Sequence, residues 1–359
     1  MKASIDAASG TQHRLCAAHA ATLTATLAAA LASTLASTAA AQDFYKGKTV
    51  TIIVGNPAGS GYDAYGRLLA RHLPRHLPGQ PNIIVQNMPG AGSVKAADYT
   101  YNIAPADGTA FTLAMPSTLV EPLTAPPGQY RYDPTRFAHI GTMDSGTRIC
   151  VTSGKSTVKS IADARRTKAI IAATAPSSSA FQYPRFMNLL AGTKFDIVTG
   201  YKGPGDVFLA VDRGEADGAC GFDVSTIQAL RPDWLGKKTA NLLVQFGREP
   251  SKQLLALGMP SHLDFIENPQ DRKVVELIVT QQVFQRPFLA PPKTPPERVK
   301  VLRDAFMAAM RDPELLDEAS RQKLELNPKS GAEVEALLQE IYAAPKELIA
   351  RMQKVISPQ

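Results

Sequence analysis

The residues best suited to chemistry lie where a β-branched run meets a turn. Asn56-Pro57-Ala58-Gly59-Ser60-Gly61 follows Thr49–Val54 and precedes Tyr62 to Leu73, a stretch that sets Tyr65, Leu68, Leu69 and Leu73 on one helical face. Glycines at such a junction permit positive φ and close backbone approach. Successive N–H groups there, with the helix N-terminus, favour an anion. Ser60 and Tyr62 add hydroxyl donors. Asp63 fits an anion site poorly. It suits either the first helical turn, complementing the dipole, or a contact to an ammonium or water on a ligand. Thr174-Ala175-Pro176-Ser177-Ser178-Ser179 repeats the arrangement after Ala169–Ala173 and before a second helix. Its serines could cap the helix or donate to an anion.

Rival chemistries find less support. Gly59-Ser60-Gly61-Tyr62-Asp63-Ala64 fits the G-x-G-x-x-A dinucleotide fingerprint, which wants an acid at the end of the second strand. That strand ends in Gln86-Asn87, and no Asp or Glu falls between Asp63 and Asp98. A tight turn with no ligand is the plainer alternative. His72, His76, His139 and His262 lie outside any zinc spacing, and Pro74 interrupts the His72/His76 pair. No serine sits in a G-x-S-x-G elbow. A secreted hydrolase or transferase using a turn serine would lack a recognisable base. Neither a catalytic residue, a metal nor a cofactor is implied.

Those turns need strands and helices to hold them. The pattern reads β-turn-α over Thr49–Val54, Asn82–Gln86 and Ala110–Met115, with helices between. It resumes over Ala169–Ala173, Phe195–Thr199 and Asp217–Gly221, again with helices between. Such a series predicts a parallel sheet covered by helices on both faces. An irregular stretch from Pro122 to Phe137 separates the two sets and suggests two α/β lobes. Strand-like segments also occur at His139–Met143, Ile149–Thr152, Leu242–Phe246 and Pro287–Ala290. The last third reads as helices over Pro295–Arg311, Pro313–Lys323 and Gly331–Val355. Two such turns, one per lobe, could close on one ligand, since open α/β sheets bind outside the carboxyl ends of their strands.

The first 41 residues have the layout of a secretory signal peptide, with small residues Ala39-Ala40-Ala41 before Gln42. Removing them takes away Lys2, Arg14 and Asp6 and leaves 37 basic and 31 acidic residues, net +6. That mild, interspersed excess is no nucleic-acid signature and suits a small anion. The remaining cysteines, Cys150 and Cys220, are two small apolar side chains or a bridge, and spacing does not decide between them.

Several landmarks resemble the extracytoplasmic receptors of tripartite tricarboxylate transporters, the Bordetella uptake gene family. Lys48–Asp63 is similar to that family's opening strand and P-x-G-G-x-x-D turn. Gln86–Gly92 is similar to E-N-x-P-G-A-G, Pro105–Thr109 to P-D-G-Y-T, and Gly200–Gly203 to Y-K-G. Gly214–Asp217 is similar to G-x-x-D, and Ala290–Pro295 to A-P-x-G-T-P. Ser60, Gln86, Ala106 and Pro176 depart from the pattern. The resemblance spans Phe44 to about Val355.

It implies the type II periplasmic binding protein fold, two α/β lobes with a ligand cleft between them. Lobe one would be 42–146 plus 247–359, and lobe two 147–246. Further implications are a non-enzymatic monomer in the periplasm, a signal peptide cleaved near Ala41, capture of a small carboxylate by lobe closure, and integral-membrane transporter subunits as partners. A receptor feeding a sensor is the alternative. The ligand residues implied are Pro57, Ala58, Gly59, Ser60, Gly61 and Asp63, facing Thr174, Ala175, Ser177, Ser178 and Ser179. Ser117, Thr118 and Tyr201 would join them. The same fold would set Cys150 on the crossing strand of lobe two and Cys220 on a neighbouring strand, in reach of a disulfide.

Overall fold

A computed structural model describes residues 44–176, 178–237 and 239–357. The proposed leader and Ser177 lie outside the described residues.

Eleven strands among the described residues form two sheets. They are β1 Thr49–Val54, β2 Asn82–Asn87, β3 Ala110–Leu113, β4 Ala138–Thr142, β5 Arg148–Ser153, β6 Ala169–Ala172, β7 Phe195–Val198, β8 Gly218–Asp223, β9 Ala240–Phe246, β10 Pro287–Ala290 and β11 Lys329–Ser330. The first sheet runs β11-β4-β10-β3-β1-β2, and the second β7-β6-β8-β5-β9. β1, central and almost wholly buried, pairs in parallel with β2 and β3. Its Val, Ile and Thr side chains pack well on a pleated surface covered on both faces.

The all-parallel expectation is corrected. β10 runs antiparallel to β3 and β4, and β11 antiparallel to β4. In the second sheet β6 is parallel to β7 and β8, whereas β5 runs antiparallel to β8 and β9. The βαβ pattern fixes local direction only. The added strands arrive from far along the chain and obey no crossover rule. The predicted closing helix over 331–355 is two helices, Gly331–Tyr342 and Lys346–Ile356. Pro345 between them has no N–H to continue the first and stands at the N-cap of the second.

Four buried apolar clusters hold these elements, the smallest around Ile53, Ala96, Ala104 and Ala110. One surrounds Val50, Leu68, Phe111, Phe288 and Phe306 of the first sheet. A second surrounds Val151, Ala172, Phe208 and Trp234 of the second sheet. The largest joins both, combining Ala114 and Leu289 with Ile171, Tyr183 and Leu243, and including Met352 of the final helix. The chain passes from the first sheet to the second through 143–147 and returns to β10 through 247–286, of which Leu254 and Met259 still pack on the second sheet's core.

Candidate functional site

The first turn is built at the carboxyl end of β1. Residues 57–59 are exposed, and Gly59 takes φ +79°, a conformation that favours glycine. Ser60 caps the helix Gly61–His72, its Oγ accepting from the Asp63 N–H at 3.2 Å. The Asp63 carboxylate, nearly fully buried, turns back onto the same loop. It accepts from the Gly59 N–H at 2.8 Å, Arg67 Nε at 2.9 Å and Asn87 Nδ2 at 2.9 Å. Asn87 also donates to the Asn56 carbonyl at 2.9 Å, so the end of β2 anchors the turn from below. Burial by itself would raise the Asp63 carboxyl. The bonds from Arg67, Gly59 and Asn87 outweigh it and hold the group below its ordinary 3.8.

The expected anion nest is therefore smaller than its glycines suggest. Gly59 gives its N–H to Asp63, and Ser60 gives its N–H to the Pro57 carbonyl at 3.2 Å. The N–H groups of Gly61 and Tyr62 open the helix and have no acceptor within it. Asp63 acts inside the turn, which separates the two roles the sequence left open.

The second turn lies at the carboxyl end of β6. The Ser178 N–H and Oγ both donate to the Ala175 carbonyl, at 2.9 and 2.6 Å. Its side chain makes no capping bond to the helix Ser179–Ala191, so the first N–H groups of that helix, on Ser179 and Ala180, have no partner inside it. Thr174 and Ala175 are half-buried, and the Thr174 carbonyl accepts from the Gly200 N–H at 3.0 Å. β8 passes directly beneath. A Cβ at Gly221, where φ is +72°, would lie 2.2 Å from the Ser179 carbonyl oxygen, so only glycine lets the helix start seat there. Tyr201 packs partly buried on the second sheet's core.

Ser117 begins the short helix Ser117–Val120, half-buried and beside Gly92. Thr118 is fully buried, and its hydroxyl donates to the Met115 carbonyl at 2.7 Å.

A partly buried polar group, whose charged members the sequence reading did not name, lies beside the first helix start and against Tyr183 of the second helix. Tyr62, second residue of the first helix, donates its hydroxyl to the Gln285 carbonyl at 3.0 Å. The Arg286 guanidinium stands 4.5 Å from the centre of the Tyr62 ring and 4.8 Å from that of Tyr65, within cation–π range. Its Nη1 donates to the Gln285 carbonyl at 2.7 Å. Arg148 Nε pairs with Asp223 at 3.3 Å, and its guanidinium stands 5.4 Å from the ring of Tyr183 on the second helix. Burial, joined by the charge of Asp223, pushes Asp144 up to about 7 against the pull of Arg286. Burial also raises Glu325. Asp144, Arg148 and Asp223 come from the ends of β4, β5 and β8, Arg286 from the approach to β10, and Glu325 from the approach to β11. Charged residues bordering apolar strands at the two crossings were the available signal.

A cavity of about 460 Å³ lies between the crossing segments and the helix Gly331–Tyr342. Its charged walls are paired with neighbouring carboxylates, Arg248 with Glu340 and Lys329 with Glu333. It lies apart from the two turns.

Two mixed α/β sheets joined by two crossings, with turns opening at their strand ends, define the type II periplasmic binding protein fold. Solved structures share it. A TctC solute binding protein from Polaromonas, without ligand, is 20% identical, with 86% of this chain and 99% of that chain covered and a TM-score of 0.66. An R. palustris protein with adipate is 18% identical, with 87% and 99% covered and a TM-score of 0.56. MatC from Rhodopseudomonas palustris with bound malate is 17% identical, with 86% and 99% covered and a TM-score of 0.53. No family model matches the sequence, and no curated protein does.

Proposed function

We propose that this chain is a solute-binding protein of the tripartite tricarboxylate receptor type, holding a small carboxylate between its two sheets. The observation that carries the reading is the pair of helix starts, at Gly61 and at Ser179, whose first N–H groups have no partner among the described residues, with a partly buried arginine against a ring of each helix. Arg286 lies against the first turn of one helix, and Arg148 against the Tyr183 ring of the other. Helix N-termini and guanidinium groups both favour a carboxylate. The likeness in fold to proteins solved with adipate and malate supports the same ligand class.

The lobes in this reading are 42–146 plus 247–359 and 147–246, hinged at the two crossings. The final helix reaches across to pack on the helix Ser179–Ala191. The ligand contacts are the backbone of Pro57–Gly61 and of residues 174–180, with Ser117 at the margin. Closure of the lobes supplies the contacts that distinguish the bound state. Export to the periplasm after cleavage near Ala41, a monomeric state and delivery to integral-membrane transporter subunits complete the proposal. A hydrolase is disfavoured by the serines themselves. Ser60 Oγ accepts from a backbone N–H, Ser178 Oγ donates to a carbonyl, and neither has a basic partner among the described residues.

The test is a thermal-shift screen of mono-, di- and tricarboxylates, aromatic acids, amino acids and neutral solutes. At least one acid raises the melting temperature through linkage. Gly61→Asp removes that shift by placing a carboxylate at the helix start. It does so without strain, because a Cβ there meets nothing within 4 Å. The variant's own melting temperature holds or rises, since an acid in the first turn suits the dipole. Response to neutral solutes alone would overturn the proposal.

A further inference from the structure

Three buried side-chain atoms beside the first helix start have no hydrogen-bond partner among the described residues. They are Asp144 Oδ1, Gln285 Nε2 and Arg286 Nε. All belong to one neighbourhood. The Arg286 N–H donates to Thr142 Oγ1 at 3.1 Å, and that hydroxyl donates to the Asp144 carbonyl at 3.0 Å. Arg286 lies against the Tyr62 ring, in the first turn of the helix whose free N–H groups would hold the carboxylate. Buried polar atoms are nearly always bonded, so three orphans grouped beside the first helix start point to a missing partner.

The chemistry of the set narrows that partner. One atom needs a donor, and two need an acceptor. A hydroxyl oxygen offers one hydrogen and two lone pairs on a single atom. A second carboxylate only accepts and would face Asp144 and Asp223. An ammonium only donates and would face Arg286. A primary amide splits the two capabilities over separate atoms.

We propose that Asp144 and Arg286, with Gln285 beside them, form a subsite that receives a hydroxyl group of the bound acid. The ligand class is thereby a hydroxycarboxylate. This inference rests on the carboxylate-binding reading and deepens it. Asp144 accepts from the hydroxyl, while Arg286 Nε and Gln285 Nε2 donate to its oxygen. Discrimination comes from the protein's own polar atoms, which stay unpaired when the deoxy acid binds.

The experiment is isothermal titration calorimetry of the mature chain with acids that differ by one hydroxyl: malate against succinate, 2-hydroxyglutarate against glutarate, and lactate against propionate. Succinamate is the amide control. The tightest acid is expected to be a hydroxylated one, at least tenfold tighter than its deoxy partner. Asp144→Ala brings that ratio to within twofold. Asp144→Asn, which keeps an acceptor oxygen in place, retains most of the preference, an outcome a purely structural role would not give. Arg286→Met, whose stem still covers Tyr62 and Tyr65, reads the same ratio should Asp144→Ala not fold. Equal binding within every pair, or succinamate tightest, would overturn the subsite and leave the carboxylate reading intact. So would an ordered water on all three atoms in crystals with either acid. Failure of every acid to bind sinks both.

Discussion

At the scale of single residues, Asp63 shows how a carboxylate can build a turn from within, its charge taken up by the donors of Gly59, Arg67 and Asn87. Its position was legible in the sequence, but its role was not. The role depends on Asn87, which reaches Asp63 only because β1 and β2 pair with Val54 opposite Asn87. Asn87 holds the place where a dinucleotide fold carries an acid, and here it donates amide hydrogens to the turn. Asp63→Ala leaves the Gly59 N–H without its acceptor and the Asn87 amide with the Asn56 carbonyl alone. It should destabilise the protein by roughly 2–3 kcal/mol, the scale of lost hydrogen bonds to a buried charge. Urea denaturation measures it. Because the folded group lies below its ordinary 3.8, its contribution is complete above that pH and is lost as pH falls through the folded value. The variant should accordingly lose less of its stability below pH 4 than the parent does. Equal acid sensitivity in the two proteins would refute this role for Asp63.

At the scale of elements, β-branched runs and turn clusters placed nearly every strand, because period and punctuation are local properties. Pairing is not local. Nothing in Pro287–Ala290 says that it runs antiparallel between β3 and β4, and the three strands that break the parallel pattern, β5, β10 and β11, were unreadable for that reason. The same distance dependence hid the relation of the cysteines. In the sheet, Cys150 of β5 is the register partner of Cys220 of β8, 70 residues on, with the two sulfurs in bonding contact. Both side chains are fully buried in the shared core. An oxidising compartment would close that contact as a disulfide. The mature protein, unfolded without reductant, should show no reactive thiol, and two after reduction. Closing so long a loop stabilises by on the order of 4 kcal/mol in the chain-entropy picture. Reduction should therefore lower the melting temperature markedly. Two reactive thiols before reduction would mean that the pair is simply packed.

At the scale of the molecule, two lobes were legible as two βαβ sets split by an irregular stretch. The charged cluster beside the turns was not, because Asp144 and Arg148, Asp223, and Arg286 meet only when three distant segments converge. Burial of ionisable groups has a further consequence for the whole fold. His139, in the first sheet, and His262, after β9, are both almost completely buried. Burial lowers each to about 4, although a carbonyl, of Pro134 or Gln245, raises it in part. The folded state thus prefers the neutral ring. Each contribution is complete above the ordinary 6.5 and declines as pH falls from 6.5 to about 4. Asp144 acts in the opposite direction. Raised from 3.8 to about 7, it binds a proton more tightly when folded, so its cost grows as pH rises through that interval. The two histidines together outweigh Asp144 and the similarly raised Glu325, leaving a net loss of stability toward acid. Urea titrations at pH 7 and pH 4.5 should show the midpoint falling. His139→Gln, neutral at both values, should narrow the gap, and Asp144→Asn should widen it by raising stability at pH 7 alone. A midpoint that does not move between the two pH values would mean that the histidines find compensating partners when they charge.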